Sequence, residues 1–217
     1  MSVAHRARQY AALSDERRLL IVDRLVMGDL TVADLANLSD MPGNLLAHHL
    51  DVLEAAGLIE RRSSEGDQRR RYVKLRWDRL PPPVDIPTIP PANVVFICTH
   101  NSARSQFASA LWERTTGSPA PSAGADPANR VHSMAVKVAS EFDVDIATAT
   151  PSPYADLPSD IEVIVSVCDR ANEGERPEAV RHLHWSVPDP VRVGTLDAFR
   201  SAFADIAERI SHLSGVT

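Results

Sequence analysis

The sequence predicts two domains of different fold class, an N-terminal mostly α-helical domain with a β-hairpin and a C-terminal α/β domain with a parallel sheet. Residues 1–80 show amphipathic helical patterns followed by two short strand patterns. Residues 93–98 form a β-branched apolar run typical of a buried parallel strand, and a loop and a helical pattern follow it. Six of the eleven residues in 81–91 are proline, which excludes both helix and central strand there. We therefore expect domains over 1–80 and 92–217, joined by a proline-rich linker over 81–91.

The composition is that of a folded protein. The 217 residues are 44% hydrophobic and 24% charged, which excludes disorder along the whole chain. The apolar runs are shorter than the roughly 20 residues that cross a bilayer, and residues 1–10 lack the apolar core of a secretory signal. Two cysteines are too few for a disulfide scaffold. We expect a cytoplasmic protein without a membrane partner, whose thiols serve chemistry.

The net charge of −6 is unevenly distributed. Residues 1–80 hold 13 Lys and Arg against 12 Asp and Glu, whereas the rest of the chain holds 10 against 17. This balance excludes a protein whose entire surface binds nucleic acid, but it allows a local basic edge in the first domain.

Capping signals delimit the helices of the first domain. Apolar residues recur at helical spacing over 4–27, and Asp15 is the expected N-cap of a second helical piece within that stretch. Thr31, with Asp34 three residues on, is expected to cap the next helix. An amphipathic stretch over 44–56 predicts the last helix.

A hairpin follows these helices. Gly57 is expected to close the last helix, and strand patterns over 58–62 and 69–75 flank a polar turn. Two helices joined by a tight turn and followed by a hairpin outline a winged helix-turn-helix, which binds DNA through its second helix and its hairpin. The sequence leaves open whether His48 and His49 both face DNA or one of them packs in the core. The candidate DNA-binding residues are Asn44, His48, Arg61, Arg62, Arg69, Arg70 and Arg71.

Residues 5–76 resemble the ArsR (arsenical-repressor) family of winged-helix regulators. The stretch LLAHHLDVLEAAGLIERR, residues 45–62, is similar to that family's recognition helix and the start of its wing. The resemblance implies a homodimer that binds a palindromic operator, and we expect dimerisation through residues 1–30. The helix LTVADLANL lacks the cysteines of the arsenite-sensing members, so that sensor site is not expected. Asp51 stands where a basic residue is common, and an acid facing phosphates would weaken binding.

A cysteine, a polar loop and an arginine combine at the start of the second domain. The strand ends at Cys98, the loop THNSAR follows, and then a helical pattern. This arrangement aims backbone amides and a helix N-terminus at an anion. Cys98 and Arg104 can face one tetrahedral oxyanion, with the guanidinium binding two of its oxygens. The expected oxyanion-binding residues are Thr99, His100, Asn101, Ser102, Ala103, Arg104 and Ser105.

Cys98 is the predicted nucleophile of this loop. The thiolate is the reactive form of cysteine, and a helix N-terminus, Arg104 and a hydroxyl from Ser102 or Ser105 all favour it. Asn101 tolerates the positive φ that a tight anion loop requires. A small buried hydrophobic residue is the alternative role for a single cysteine, but the strand before it and the helix after it favour the nucleophile.

Two later motifs point to the same edge of the predicted sheet. Asp189, in HLHWSVPDP, follows a short strand, and its carboxyl group can protonate a departing oxygen. Cys168 ends a buried strand pattern over 161–168, and ligands gather at the carboxyl ends of parallel strands. Cys168 is either a redox partner of Cys98 or an inert core residue.

The loop ICTHNSARSQFA, together with VCDRA and VPDP, resembles the arsenate reductases built on the low-molecular-weight tyrosine phosphatase fold, over residues 93–213. The CTHNSARSQ form of the loop resembles arsenate reductase more than tyrosine phosphatase. Val191 and Arg192 also stand where the phosphatases carry an aromatic pair. The resemblance implies a four-stranded parallel sheet flanked by helices.

The same resemblance implies roles for four catalytic residues. Cys98 attacks arsenate, Arg104 neutralises its charge, and Asp189 protonates the leaving oxygen. A second thiol, at Cys168, then attacks the sulfur of the Cys98–arsenic adduct and releases arsenite. Glu175 stands where thioredoxin-coupled relatives carry a third cysteine. The external reductant is therefore thioredoxin acting on a Cys98–Cys168 disulfide, or a small thiol such as mycothiol or glutathione that supplies the second sulfur.

The resemblance also bears on metals and on the alternatives. Ser109 stands where potassium-binding relatives carry a glutamate, so we expect no bound metal, and no bound cofactor beyond the external thiol. The leading hypothesis is an arsenate reductase linked to a DNA-binding regulator domain. The alternatives are a transcription regulator whose second domain senses arsenate or phosphate, and a protein tyrosine phosphatase.

Overall fold

The computed structural model describes residues 2–81, 88–90 and 93–215. The chain divides into two compact units, which are Met1–Ser64 with Gln68–Pro87, and Thr88–Thr217 with the short segment Glu65–Asp67. None of the helices in the described ranges combines the length and the apolar character that a membrane span needs.

Most of the segment 81–91, for which the sequence predicts a linker, lies outside the described residues. Ile89, within this segment, packs in the second unit. It is buried, and its backbone N–H donates to the carbonyl of Leu213 at 2.9 Å. The linker bounds stay a prediction.

The first unit combines four helices with a small antiparallel sheet in its described residues. These elements are α1 (Val3–Leu13), α2 (Glu16–Leu25), β1 (Leu30–Thr31), α3 (Val32–Ser39), α4 (Gly43–Ala55), β2 (Ile59–Ser63) and β3 (Arg71–Leu75). The strand order is β1-β3-β2, with both pairings antiparallel. This arrangement confirms the predicted helical domain with its hairpin. The sequence did not predict β1, because two residues show no alternation and form a strand only by pairing with β3.

Capping explains where these helices begin and end. The carboxylate of Asp15 accepts two first-turn amides of α2, at 3.0 and 3.1 Å. Thr31 and Asp34 form a reciprocal capping box at the start of α3. Gly57 follows α4 with a φ of 74°, where a residue with a side chain would be strained. All three signals were readable in the sequence because capping depends on residues within one helical turn.

His49 of α4 lies in the apolar core of the first unit, whereas His48 is exposed. One of the two histidines is thus buried, and DNA contact by His48 stays a prediction. Neither ring nitrogen of His49 has a hydrogen-bond partner among the described residues. The carboxylate of Asp15 lies 3.8 Å from Nδ1. Burial lowers the pKa of His49, and the attraction of Asp15 only partly opposes this effect.

Replacing His49 with leucine is expected to stabilise the first unit by about 1–2 kcal/mol, because it removes two buried ring nitrogens that have no hydrogen-bond partner in the described part of the chain. The pKa of His49 in the folded state is below its ordinary value of 6.5. The unfolded chain therefore binds the extra proton as the pH falls through 6.5, and the wild-type protein loses stability there. The gain on substitution should thus be larger at pH 5 than at pH 8.

Hydrogen exchange of peptides from α2 and α4, measured at both pH values, tests this. The matched control is His48→Leu, on the exposed side of the same helix, which should leave exchange unchanged. Faster exchange in the His49→Leu variant at either pH would contradict the expectation.

The second unit is built on a parallel sheet. Its described elements are β4 (Val94–Cys98), α5 (Arg104–Thr116), β5 (Ser122–Gly124), α6 (Ser133–Glu141), β6 (Val163–Ser166), α7 (Asp169–Glu173), β7 (Arg181–His184), α8 (Pro190–Val193) and α9 (Leu196–Ser214). The order is β5-β4-β6-β7, and every pairing is parallel. This arrangement confirms the expected four-stranded parallel sheet. All five residues of β4 are buried, as its apolar run predicts.

The strand expected over 161–168 is shorter in the structure. β6 covers only Val163–Ser166, and Cys168 is the N-cap of α7 instead of a strand residue. The apolar pattern could not show this, because Val167 and Cys168 remain buried although they lie outside the strand. β5 was not predicted either, since its three residues are too few for a pattern.

Candidate active site

The loop between β4 and α5 closes around the sulfur of Cys98. Cys98 is the last residue of β4 and is buried. The backbone N–H of Asn101 donates to its Sγ at 3.2 Å, and the hydroxyl of Ser105 lies 3.0 Å from the same atom. The amide of Asn101 and the hydroxyl of Ser105 therefore hold this sulfur at the end of β4, inside the loop.

Asn101 holds the loop in shape. It is fully buried with a φ of 47°, the left-handed conformation expected from the sequence. Its Nδ2 donates to the hydroxyls of Ser105 and Ser122, at 2.8 and 2.9 Å. Its Oδ1 accepts from the side chain of Gln106 at 3.0 Å and from the backbone N–H of Ser152 at 2.9 Å. One amide side chain thus ties the loop to α5, to β5 and to the segment around Ser152.

Gly124, at the end of β5, lies against the loop. A Cβ atom at this position would lie 2.7 Å from the carbonyl oxygen of Thr99 and 2.9 Å from the backbone nitrogen of Asn101. Any side chain there would displace the loop. We did not single out Gly124 from the sequence, because a glycine after a short apolar run is too weak a signal.

Arg104 projects into the same site from the first turn of α5. It is buried, its Nη1 donates to the carbonyl of Val187 at 2.9 Å, and its Nη2 lies 3.3 Å from Oδ2 of Asp189. Burial disfavours the charged guanidinium. The negative charges of Cys168, Cys98 and Asp189 outweigh this effect and raise the pKa of Arg104. The guanidinium is therefore a permanent cation at a fixed position.

Asp189 is the N-cap of α8. Its Oδ1 accepts from the backbone N–H of Val191 at 3.0 Å, and its side chain is 23% exposed. Cys98, Arg104 and Asp189 line one cleft of about 280 Å³. The remaining residues that line this cleft are His100, Ser102, Ala103, Arg170, Val191 and Arg192. The structure thus brings a nucleophile, a cation and a carboxyl group to one cavity.

Cys168 lies beside this loop, after the end of β6, the strand that pairs with β4. Its Sγ is 3.4 Å from the hydroxyl of Thr99 and accepts the backbone N–H of Ala171 at 3.4 Å. Burial raises the pKa of Cys168, and the positive charge of Arg104 opposes that effect. Both cysteines are free thiols.

The other loop residues expected to bind the oxyanion differ in burial and in the groups that they contact. Thr99 contacts Cys168, as described, and Ser105 is fully buried against Cys98. His100 is exposed, with Nδ1 2.9 Å from the carbonyl oxygen of Asp126. Further along α5, the hydroxyl of Ser109 donates to the carbonyl of Ala120 at 2.6 Å.

A buried Asp–His pair beside Cys168 was not assigned from the sequence. Oδ1 of Asp169 lies 3.1 Å from Nε2 of His184, whose Nδ1 lies 3.0 Å from the hydroxyl of Ser166. Burial alone would raise the pKa of Asp169, but hydrogen bonds, chiefly from His184, lower it. The pair fixes the start of α7, directly after Cys168, to the end of β7.

The candidate DNA-binding residues lie on α4 and the hairpin. Asn44 and His48 are exposed on α4. Arg61 contacts carboxylates of α4, with Asp51 Oδ1 2.8 Å from its Nη2 and Glu54 as a second partner. One guanidinium thus faces two carboxylates, and its charge balances only one of them. The remaining candidates on the hairpin are the exposed Arg69, Arg70 and Arg71 and the partly buried Arg62.

Comparison with known families agrees with this geometry. The family described as low molecular weight phosphotyrosine protein phosphatase matches residues 93–215, more than half of the chain. The chain belongs to this family. The bacterial regulatory proteins of the arsR family match residues 15–61 of this phosphatase-family member. Both matches confirm the resemblances noted from the sequence.

Arsenate reductases are among the proteins to which this chain is similar. Arsenate reductase 1 of Bacillus cereus is 33% identical over 102 residues, which are 45% of this chain and 75% of that protein. A second Bacillus cereus arsenate reductase is 30% identical over 126 residues, 56% of this chain and 92% of that protein. A solved structure of an arsenate reductase in the oxidized state is 27% identical with a TM-score of 0.50, and covers 55% of this chain and 94% of that one.

Proposed function

We propose that this protein reduces arsenate to arsenite with Cys98 as nucleophile, and that its first domain binds operator DNA. The observation that carries the enzymatic part is the Cys98 sulfur, held by an amide and a hydroxyl in one cleft with Arg104 and Asp189. The similarity to arsenate reductases supports the choice of substrate.

The first step forms a covalent adduct. The Cys98 thiolate attacks arsenic, a sulfur–arsenic bond forms, and an arsenic–oxygen bond breaks. The departing oxygen takes a proton from the carboxyl group of Asp189, which lines the same cleft. Arg104 stays fixed by Val187 and Asp189 and holds the remaining oxygens, so charge that develops on them meets a cation in place.

The second step transfers two electrons to arsenic. The Cys168 sulfur attacks the Cys98 sulfur of the adduct, a disulfide forms, and the electron pair of the sulfur–arsenic bond stays on arsenic. Arsenic passes from the +5 to the +3 state and leaves as arsenite, while the two thiols are oxidised. An external thiol then reduces the disulfide. The contact between Thr99 and Cys168 supports this internal route, because it places the second sulfur next to the loop.

The same nucleophile, arginine and acid also suit a phosphatase. Val191 and Arg192, instead of an aromatic pair, line the mouth of the cleft. Neither of these two side chains offers a ring that could stack on a phosphotyrosine, as an aromatic pair would. This observation favours a small inorganic oxyanion over a phosphopeptide.

The decisive assay measures arsenite formed by the full chain with thioredoxin, thioredoxin reductase and NADPH, and in parallel with mycothiol or glutathione. We expect arsenite with at least one donor, and slower turnover of an aryl phosphate. Aryl phosphate turnover far above arsenate reduction would instead establish a phosphatase. Binding of arsenate without any turnover would favour the oxyanion-sensing regulator.

The regulatory part of the proposal is supported by the arsR family match and by α1. Val3 and Tyr10 on this helix are 73% and 53% exposed, which suits burial against a second copy. We expect a homodimer in light scattering at micromolar concentration and a gel shift on the protein's own promoter. A monomeric protein that does not shift this DNA would contradict the regulatory part of the proposal. The same gel, run with and without arsenate, shows whether the oxyanion changes DNA binding.

A further inference from the structure

The segment 125–132 connects β5 with α6 and donates backbone hydrogen bonds to the anion loop, residues 98–105. N–H groups of the segment reach carbonyl oxygens of the loop at 2.8 to 3.4 Å. The pairs, with the donor first, are Ala125 with Cys98, Asp126 with Thr99, Ala128 with His100, and His132 with Ser102. No step of the proposed reaction uses this segment, but it holds the backbone of the loop at several successive residues.

The direction of these carbonyl groups fixes the direction of the loop amides. A peptide group is planar and trans, so its C=O and the following N–H point in opposite directions. Because the carbonyl groups point toward the segment, the N–H groups that follow them point away from it. The N–H of Asn101, which follows the carbonyl of His100, accordingly donates to the Cys98 sulfur at 3.2 Å. The N–H groups of His100 and Ala103 are fixed in the same way, and both residues line the cleft.

His132 attaches the end of this segment to two helices. Its Nδ1 accepts the backbone N–H of Met134 at 3.2 Å, which makes His132 the N-cap of α6. Its ring stacks on that of Phe199 in α9, with 4.9 Å between the centroids. Its own backbone N–H is the donor to the carbonyl of Ser102, at 2.8 Å. One residue thus connects the packing of α6 and α9 with a loop residue that lines the cleft.

Loss of this attachment would act on the loop through Ser102. Its carbonyl oxygen would lose a fixed donor, and the peptide that joins Ser102 to Ala103 could then rotate its N–H away from the cleft. Backbone donors that are fixed before an anion arrives bind it without a cost for reorientation. A loosened segment should therefore weaken oxyanion binding even when the domain is folded.

We propose that the segment 125–132 holds the anion loop in the conformation that binds a tetrahedral oxyanion, and that His132, as the N-cap of α6, is the positioning residue that anchors the segment. The proposal rests on the proposed function to the extent that the loop binds an oxyanion. His132 is not among the residues that line the cleft, so it acts through the peptide between Ser102 and Ala103.

Phosphate binding by the full chain, measured by isothermal titration calorimetry, tests this proposal. Phosphate is tetrahedral like arsenate and takes no electrons from the thiols. We expect His132→Leu to raise the Kd for phosphate by about tenfold, because leucine cannot cap α6. His132→Asn keeps a side-chain acceptor for the cap and should stay within about threefold of the wild type.

Phe142→Leu, at the other end of α6, is the matched control. Phe142 is the C-cap of α6, and its ring stacks on Phe203 of α9 with 4.7 Å between the centroids. The substitution thus also removes a ring contact between these two helices, but the N-cap and the segment stay unchanged. It should bind phosphate as the wild type does, and thermal unfolding checks that all three variants are folded.

Two results would overturn the role of His132 and leave the oxyanion function intact. They are wild-type affinity in His132→Leu, and a loss that is the same in His132→Leu as in His132→Asn or Phe142→Leu. A wild-type chain that binds no phosphate would overturn the oxyanion-binding function itself, and the proposal with it.

Discussion

Arsenite formation is expected to fall by about 10³-fold or more when Cys98 is replaced by serine, since the reaction loses its nucleophile. The substitution keeps the approximate size and the contacts with Asn101 and Ser105, but a hydroxyl is a much weaker nucleophile than a thiol. Initial rates of arsenite release by the full chain measure the effect. Turnover equal to that of the wild type would reject the proposed mechanism outright.

Cys168→Ser is the matched variant, because it removes the other thiol of the pair. If an internal disulfide forms, this variant should make the Cys98–arsenic adduct but not proceed further. Mass spectrometry of the intact chain detects the adduct as added mass. Full turnover of Cys168→Ser with mycothiol or glutathione would show that a small thiol supplies the second sulfur.

Arg104→Lys is expected to lower kcat/KM for arsenate by about 10²-fold or more. Lysine keeps the charge, but it loses the planar fork that binds two oxygens at once. Lysine also lacks the two separate Nη groups that contact Val187 and Asp189, so the carboxyl group would be held less firmly at the cleft. Steady-state kinetics with arsenate as the varied substrate measure the change.

Arg200→Lys on α9 is the control for this substitution. That arginine is exposed, pairs with Glu141 and Asp197, and does not line the cleft. Its variant should retain wild-type kinetics. A loss in Arg104→Lys no greater than in Arg200→Lys would contradict a role for the guanidinium in holding the oxyanion.

The sequence located the anion loop because its signals are local. A strand that is apolar throughout, a cysteine at its end and an arginine six positions later are contiguous, and the left-handed backbone at Asn101 follows from that residue's own preferences. The second cysteine could also be placed at this sheet edge from the sequence. It follows another buried apolar run, and parallel strands align their carboxyl ends. Its position as a helix N-cap depended on where β6 stops pairing.

The sequence by itself determined the two fold classes, the helix caps and the residues of the loop, because each depends on neighbours within a few positions along the chain. Tertiary structure alone decided that His49 is buried without a hydrogen-bond partner among the described residues, that Arg61 contacts Asp51, and that Gly124 leaves room for the loop. These features join residues far apart in sequence or on different elements. No local preference encodes them, since their energies arise only once the sheet and helices have packed.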